Sequence, residues 1–256
     1  MYTAATGMDA QVMRIDTIAN NLANADTTGF KKSQVDFADL IYETRQGQAG
    51  KTQQTSQPTP LELGSGVSPV STLKVFTPGV VASTGGQLDL AISGDGFFQV
   101  ETPTGEVMYT RDGNFRVDPN GNVVNSQGYP MSPSISVPED ALQIDVGMDG
   151  TMTATMPDGS ETELGSLQLA NFVNPAGLSS QGGNLYRETA ASGPPTTGTP
   201  TQEGLGKIRQ GYLEKSNVDV VNELVDLISA QRTYELNSKV VKAGDKILQA
   251  TNYLAG

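Results

Sequence analysis

The 256-residue chain contains no cysteine, no histidine and no tryptophan. These absences remove disulfides, thiol nucleophiles, thiolate and imidazole metal sites, and the commonest general base in proteins. A Ser-His-Asp arrangement is therefore impossible, however many serines are present. Hydrophobic residues are scarce at 36% and aromatics at 6%. No apolar run approaches the roughly 20 residues that cross a bilayer as a helix, so membrane insertion is not expected. Met1 to Ala10 lack a basic stretch followed by an apolar core, so a cleaved signal peptide is not expected either. Positive charge is also sparse, with 16 Lys and Arg against 28 Asp and Glu. No basic stripe exists to neutralise phosphates, which makes nucleic acid a poor partner.

The net charge of −12 is unevenly placed. Residues 1–60 hold five basic and six acidic side chains, and residues 207–256 hold seven and six. The middle holds four and sixteen, so it carries the entire excess. Like-charged middles repel one another, while near-neutral ends can approach their copies.

The ends carry helical periodicity. Ala5, Met8, Val12, Ile15, Ala19 and Leu22 alternate spacings of three and four, an a/d seam backed by polar residues. Gly29 is the expected stop. Near the other end, Ser216-Asn217-Val218-Asp219 reads as a capping box. Val221, Leu224 and Ile228 then form one stripe, and Leu236, Val240, Ala243, Ile247, Ala250 and Leu254 a second, with a one-residue slip between them. A helix from Asp219 to Leu254 would be about 54 Å long. Only the two terminal helices offer matching seams, so they are expected to pack on each other as a coiled-coil stalk. Their thin, Ala-rich core predicts loose ends before assembly.

The middle reads differently. Runs at Phe97–Val100, Val107–Thr110, Phe115–Val117 and Asn122–Val124 are punctuated by Gly105, Gly113, Gly121 and Gly128, the rhythm of a meander or small barrel. A further strand is expected around Leu167–Val173. Residues 44–60 and 188–206, rich in Gln, Thr, Gly and Pro, have no apolar period and read as irregular. The predicted fold class is α+β, with residues 1–43 as N-terminal helix and connecting segment. An irregular stretch (44–69), a β-rich outer domain (70–206) and the C-terminal stalk helix (207–256) follow.

No constellation supports catalysis, a cofactor or a metal. Gly94-Asp95-Gly96 and Gly64-Ser65-Gly66 lack the context of a phosphate-binding loop and read as tight turns. Asp118-Pro119-Asn120-Gly121-Asn122 begins like a calcium loop, but Val123 and Tyr129 stand where Gly and Glu are required. The informative motif is Ile18-Ala19-Asn20-Asn21-Leu22-Ala23-Asn24, then Thr27-Thr28-Gly29-Phe30-Lys31. Asn is a mediocre helix former. Three of them at positions 20, 21 and 24 suit a contact that must be specific in register, because an amide both donates and accepts.

That segment resembles the N-terminal signature of the axial proteins of the bacterial flagellum, the rod, hook and hook-associated proteins. Tyr2-Thr3-Ala4-Ala5-Thr6-Gly7-Met8 is similar to the opening of the distal-rod member. The same resemblance runs through Gly94–Val100, Tyr109–Phe115, Asn184-Leu185-Tyr186, Gln210–Val218, Glu223-Leu224-Val225 and Gln231–Lys239. It implies a non-enzymatic, self-assembling subunit whose ends form a coiled-coil inner tube and whose β body faces outward. It also implies export through the flagellar type III apparatus without signal cleavage. The implied partners are copies of itself, other rod proteins, the hook protein, and the peptidoglycan and outer-membrane rings. Within the family the alternative is a proximal-rod or hook-type protein; outside it, a secreted β-rich adhesin-like protein.

Overall fold

The computed structural model describes residues 2–45, 61–202 and 204–255, with side chains for all of these except 44, 45, 61, 62, 251, 252, 254 and 255. Among the described residues the protein is a mixed α+β chain of two α-helices and many short strands. It divides into two compact units. One comprises residues 1–22, 33–73 and 220–256, the other residues 23–32 and 74–219.

In the first unit, helix α1 spans Tyr2–Ala23 and helix α2 spans Val220–Ala255. α1 stops six residues before Gly29, the expected terminator, and a turn closed by Thr27 N–H on Asn24 C=O (3.2 Å) follows it. α2 likewise does not begin on the expected capping box. Ser216 is buried, and its Oγ accepts from Val218 N–H (3.3 Å) in a local turn ahead of the helix. Between the helices in sequence, Ser33–Asp39 lies beside Val67–Lys74, and Tyr42–Arg45 pairs antiparallel with Leu61–Gly64. Leu40 N–H to Gly66 C=O (2.8 Å) and Ser65 N–H to Ile41 C=O (3.3 Å) join the two pairs into one ribbon. Residues 61–69, expected to be irregular, are thus largely strand; residues 46–60 lie outside the described residues. Gly66 (φ +118°) fastens the ribbon to α1, since a Cβ there would meet Thr6 Oγ1 at 2.2 Å.

The second unit is the β body. Its largest sheet has six strands, in the order Ser179–Gly182, Leu185–Arg187, Val107–Thr110, Phe97–Glu101, Leu169–Asn171 and Thr196–Gly198. Gln143–Val146, Thr151–Thr155 and Glu161–Ser166 form a three-stranded meander. Leu90–Ser93 pairs with Lys207–Gln210, and Val81–Ser83 with Tyr212–Glu214, so early and late parts of the body are zipped together. The large sheet runs from one edge strand to another and is not a closed barrel.

Side-chain alternation along Phe97–Glu101 divides the core. Phe98 enters a large aliphatic cluster with Leu90, Ile92, Val100, Phe115, Met152 and Leu169. Phe97 enters an aromatic cluster with Tyr109, Phe172 and Tyr186 on the opposite face. Its rings meet edge to face, with centroids 4.8 Å apart for Tyr109 and Phe172 and 5.8 Å for Phe97 and Phe172, the arrangement aromatic quadrupoles favour.

Candidate functional site

The terminal helices lie side by side. Asn21 Nδ2 is 3.3 Å from Glu223 Oε2, Arg14 Nη2 is 3.4 Å from Asp226 Oδ1, and the Cβ position of Gly7 is 3.0 Å from Asn237 Nδ2. Partners on α2 advance as those on α1 retreat, so the helices run antiparallel. The side of α1 that faces α2 carries Ala4, Gly7, Ala10, Ile18 and Asn21; of these only Gly7 is not buried. On α2 the buried positions are Glu223 and Ala230. Apart from Ile18 and the half-buried Leu227 this face is small or polar, and the apolar seams expected to form it lie elsewhere.

On α1 the expected seam is displaced by one residue, about 100° around the helix. Ala5, Met8, Ile15 and Leu22 are half-buried, while Val12 (43%) and Ala19 are exposed. On α2 the displacement is more complete. Val221, Leu224, Ile228, Leu236, Val240 and Ile247 are between 42% and 70% exposed, and Ala243 and Ala250 are exposed as well. The side chain of Leu254 lies outside the described residues. α2 also outruns its neighbour. With Gly7 opposite Asn237, the far third of the 36-residue helix has no α1 residue beside it.

The cause of the displacement is Asn21. Its Oδ1 accepts from Ser33 N–H (2.8 Å) and its Nδ2 donates to Ser33 C=O (2.9 Å) and to Glu223. This two-pronged grip on the backbone of the following strand fixes the rotation of α1 about its axis. Of the three motif asparagines, only Asn21 is buried; Asn24 is half-buried and accepts from Thr27 Oγ1 (3.3 Å), and Asn20 is exposed.

The remaining motif residues converge within the β body. Thr28 Oγ1 donates to Asp112 (2.9 Å), Asn184 Nδ2 donates to Thr28 C=O (2.8 Å), and Gly29 N–H donates to Glu214 C=O (2.8 Å). Gly29 (φ +66°) presses on the Arg111–Asp112 backbone, where a Cβ would approach Asp112 N to 2.5 Å. Burial raises the Asp112 carboxyl above its ordinary value, against the hydrogen bonds from Thr28 and Asn114 that lower it. Asn217 accepts from Lys32 N–H (2.8 Å) and donates to Val75 C=O (2.8 Å). Gln210 accepts from Val146 N–H and donates to Ile144 C=O (2.6 Å). Sequence reading assigned none of Lys31, Arg111 or Glu214 a contact and placed Asn217 only within the expected capping box. Their signal was present, as isolated polar residues inside recurring motifs.

Comparison with known proteins places these segments together. The family described as flagella basal body rod protein matches residues 1–31. The flagellar hook protein FlgE/F/G D1 domain matches residues 91–154, and the flagellar basal body rod FlgEFG protein C-terminal family matches residues 209–254. The chain is 45% identical to the flagellar basal-body rod protein FlgG of Buchnera aphidicola subsp. Schizaphis graminum, over 99% of this chain and 98% of that one. It is 44% identical to the protein of the same description from Borreliella burgdorferi, over 99% and 97%, and 37% identical to that of Bacillus subtilis, over 97% and 96%.

Proposed function

The chain belongs to the flagellar basal-body rod protein family as a structural subunit of the distal rod, and from that premise we propose that its terminal helices polymerise through the apolar stripes they leave uncovered. The observation that carries this is the exposure of Val221, Leu224, Ile228, Leu236, Val240 and Ile247 on one helix and Val12 on the other, while the intrachain face buries mostly small and polar residues beside Ile18. Fully covering such a side chain is worth about 1.5–3 kcal/mol. Six of them per subunit, already partly covered, each gain a fraction of that on assembly, repeated along a tube.

Packing of one copy's α2 stripe on a different surface of the next copy, the exposed α1 positions, is a head-to-tail contact, and such contacts propagate into open helical assemblies. Ala5, Met8, Ile15, Ala19 and Leu22, with the α2 positions Ala243, Ala250 and Leu254, complete the proposed interface. The product is a drive shaft between motor and hook. The acidic β body, which carries most of the net charge, faces outward to the peptidoglycan and outer-membrane rings in the periplasm. Export through the type III apparatus without a cleaved signal, and end-to-end joining to other rod proteins and the hook protein, belong to the same reading.

The test is the full chain carrying Val240→Asp and Ile247→Asp. Both side chains are solvent-exposed in the monomer, so its folding and β-body circular dichroism should be unchanged, while rod growth and motility are lost. Normal motility would refute the interface.

A further inference from the structure

Residues 23–32 connect α1 to the first strand, and their last turn is held by a charge cluster with an odd balance. The Lys31 side chain is fully buried (0% exposed); its Nζ donates to Thr77 C=O (2.9 Å) and to Glu214 Oε1 (2.5 Å). Glu214, 1% exposed, also accepts from Gly79 N–H (2.8 Å). Its other oxygen lies 3.5 Å from Arg111 Nη1, a guanidinium 3% exposed that donates to Gly94 C=O (2.9 Å) and stacks over Phe97, 5.2 Å from the ring centroid. A third cation, Lys74, packs on the connector, with Nζ 4.7 Å from the Phe30 centroid and 3.1 Å from Lys31 C=O. The other carboxylate acting on Arg111, Asp95, is exposed. Two fully buried cations thus share one buried anion.

Burying an unpaired charge costs several kcal/mol, and placing two like charges in one dry site adds to that. Burial lowers the Lys31 amine from its ordinary value, Glu214 opposes the shift and Arg111 adds to it. Without Glu214, docking Lys31 would set it against Arg111 with nothing between them. Glu214 is carried by the strand Tyr212–Glu214, which pairs antiparallel with Val81–Ser83. We propose that Glu214 is an electrostatic latch: the connector 27–32 docks on the β body only after the strand Tyr212–Glu214 has delivered its carboxylate between Lys31 and Arg111. The segments leading out of α1 and into α2 therefore become ordered together, although 183 residues separate Lys31 from Glu214.

The test is amide hydrogen exchange on the full chain carrying Glu214→Gln, Lys31→Met, or both. The reporters are Gly29 N–H, bonded to Glu214 C=O, and Lys32 N–H, bonded to Asn217. Leu90 N–H and Met131 N–H, in the main core, serve as controls. Glu214→Gln should speed exchange at both reporters by at least about tenfold with the controls unchanged. Adding Lys31→Met should restore part of the protection, because one buried cation then remains instead of two. Loss of packing or of a hydrogen bond alone predicts no such recovery. Reporters unmoved by Glu214→Gln, or a double variant as labile as the single one, would overturn the latch. Should Glu214→Gln fail to fold, Lys31→Met alone decides: it leaves a balanced Arg111–Glu214 pair, so the reporters should be at least as protected as in the natural chain. Faster exchange there would overturn it equally.

Discussion

Asn21 fixes the rotation of α1, so replacing it should free that helix while leaving the β body intact. Asn21→Ala removes the acceptor for Ser33 N–H, the donor to Ser33 C=O and the bond to Glu223. Each net hydrogen bond is worth about 0.5–1.5 kcal/mol, and each buried group left unpaired costs about 1–3 kcal/mol. Ser33 is only half-buried, so water recovers part of this, and a local loss of about 3 kcal/mol is expected. That is on the order of a hundredfold in the opening equilibrium, readable as faster exchange at Ser33 N–H and along α1. Asn21→Asp is the sharper perturbation. A carboxylate still accepts from Ser33 N–H but cannot donate, and it stands beside the Glu223 carboxylate. Like charges a few ångström apart near a protein surface repel by about 4 kcal/mol. At neutral pH the order of local stability should therefore be Asn, then Ala, then Asp. Below about pH 4 the Asp variant should recover past Ala, because a protonated carboxyl donates again. Equal protection for Asn21 and Asn21→Asp at neutral pH would refute the clamp.

Other outcomes follow from the same structure. Phe98→Ala, in the middle of the aliphatic core, should cost about 3–5 kcal/mol in denaturant unfolding of the β body. Gly29→Ala should undock the connector, since its φ of +66° and its contact with Asp112 both exclude a Cβ; exchange at Lys32 N–H measures it. The pH profile carries two opposed signs. Lys31 titrates below its ordinary 10.5 in the folded chain because it is buried, so the unfolded chain binds more protons and stability rises with pH up to about that value. Lys31→Met should abolish this rise. Tyr186 is pushed upward by burial, so its contribution is lost as pH climbs past about 10, and Tyr186→Phe should remove that loss.

The elements of the fold were largely legible in the sequence, and the faces they use were not. Val107–Thr110 and Phe115–Val117 are strands at their expected bounds, because turn glycines mark their ends. Both helices follow their three-and-four periodicity. The rotation of α1 was hidden because Asn21 grips the backbone of Ser33, and every residue carries the same backbone groups. A pattern of side chains records where apolar residues lie, without saying whether this chain or another copy covers them. The ribbon strand Leu61–Gly64 escaped notice because its apolar alternation spans only four residues, directly after a Gln- and Thr-rich stretch. The Lys31–Glu214 pair escaped because no local signal links positions so distant.

The zipped entry and exit of the β body have a mechanical consequence. Lys31 and Lys32 meet Glu214 and Asn217 within hydrogen-bond distance, so the body hangs on the chain as a closed bight. Tension applied between residue 23, where the chain enters the body, and residue 219, where it leaves it, loads this clasp first. The six-stranded sheet is bypassed until the clasp yields. A part that turns under load is thereby spared peeling of its strands one by one, and its resistance to force is set by a handful of charged and amide side chains.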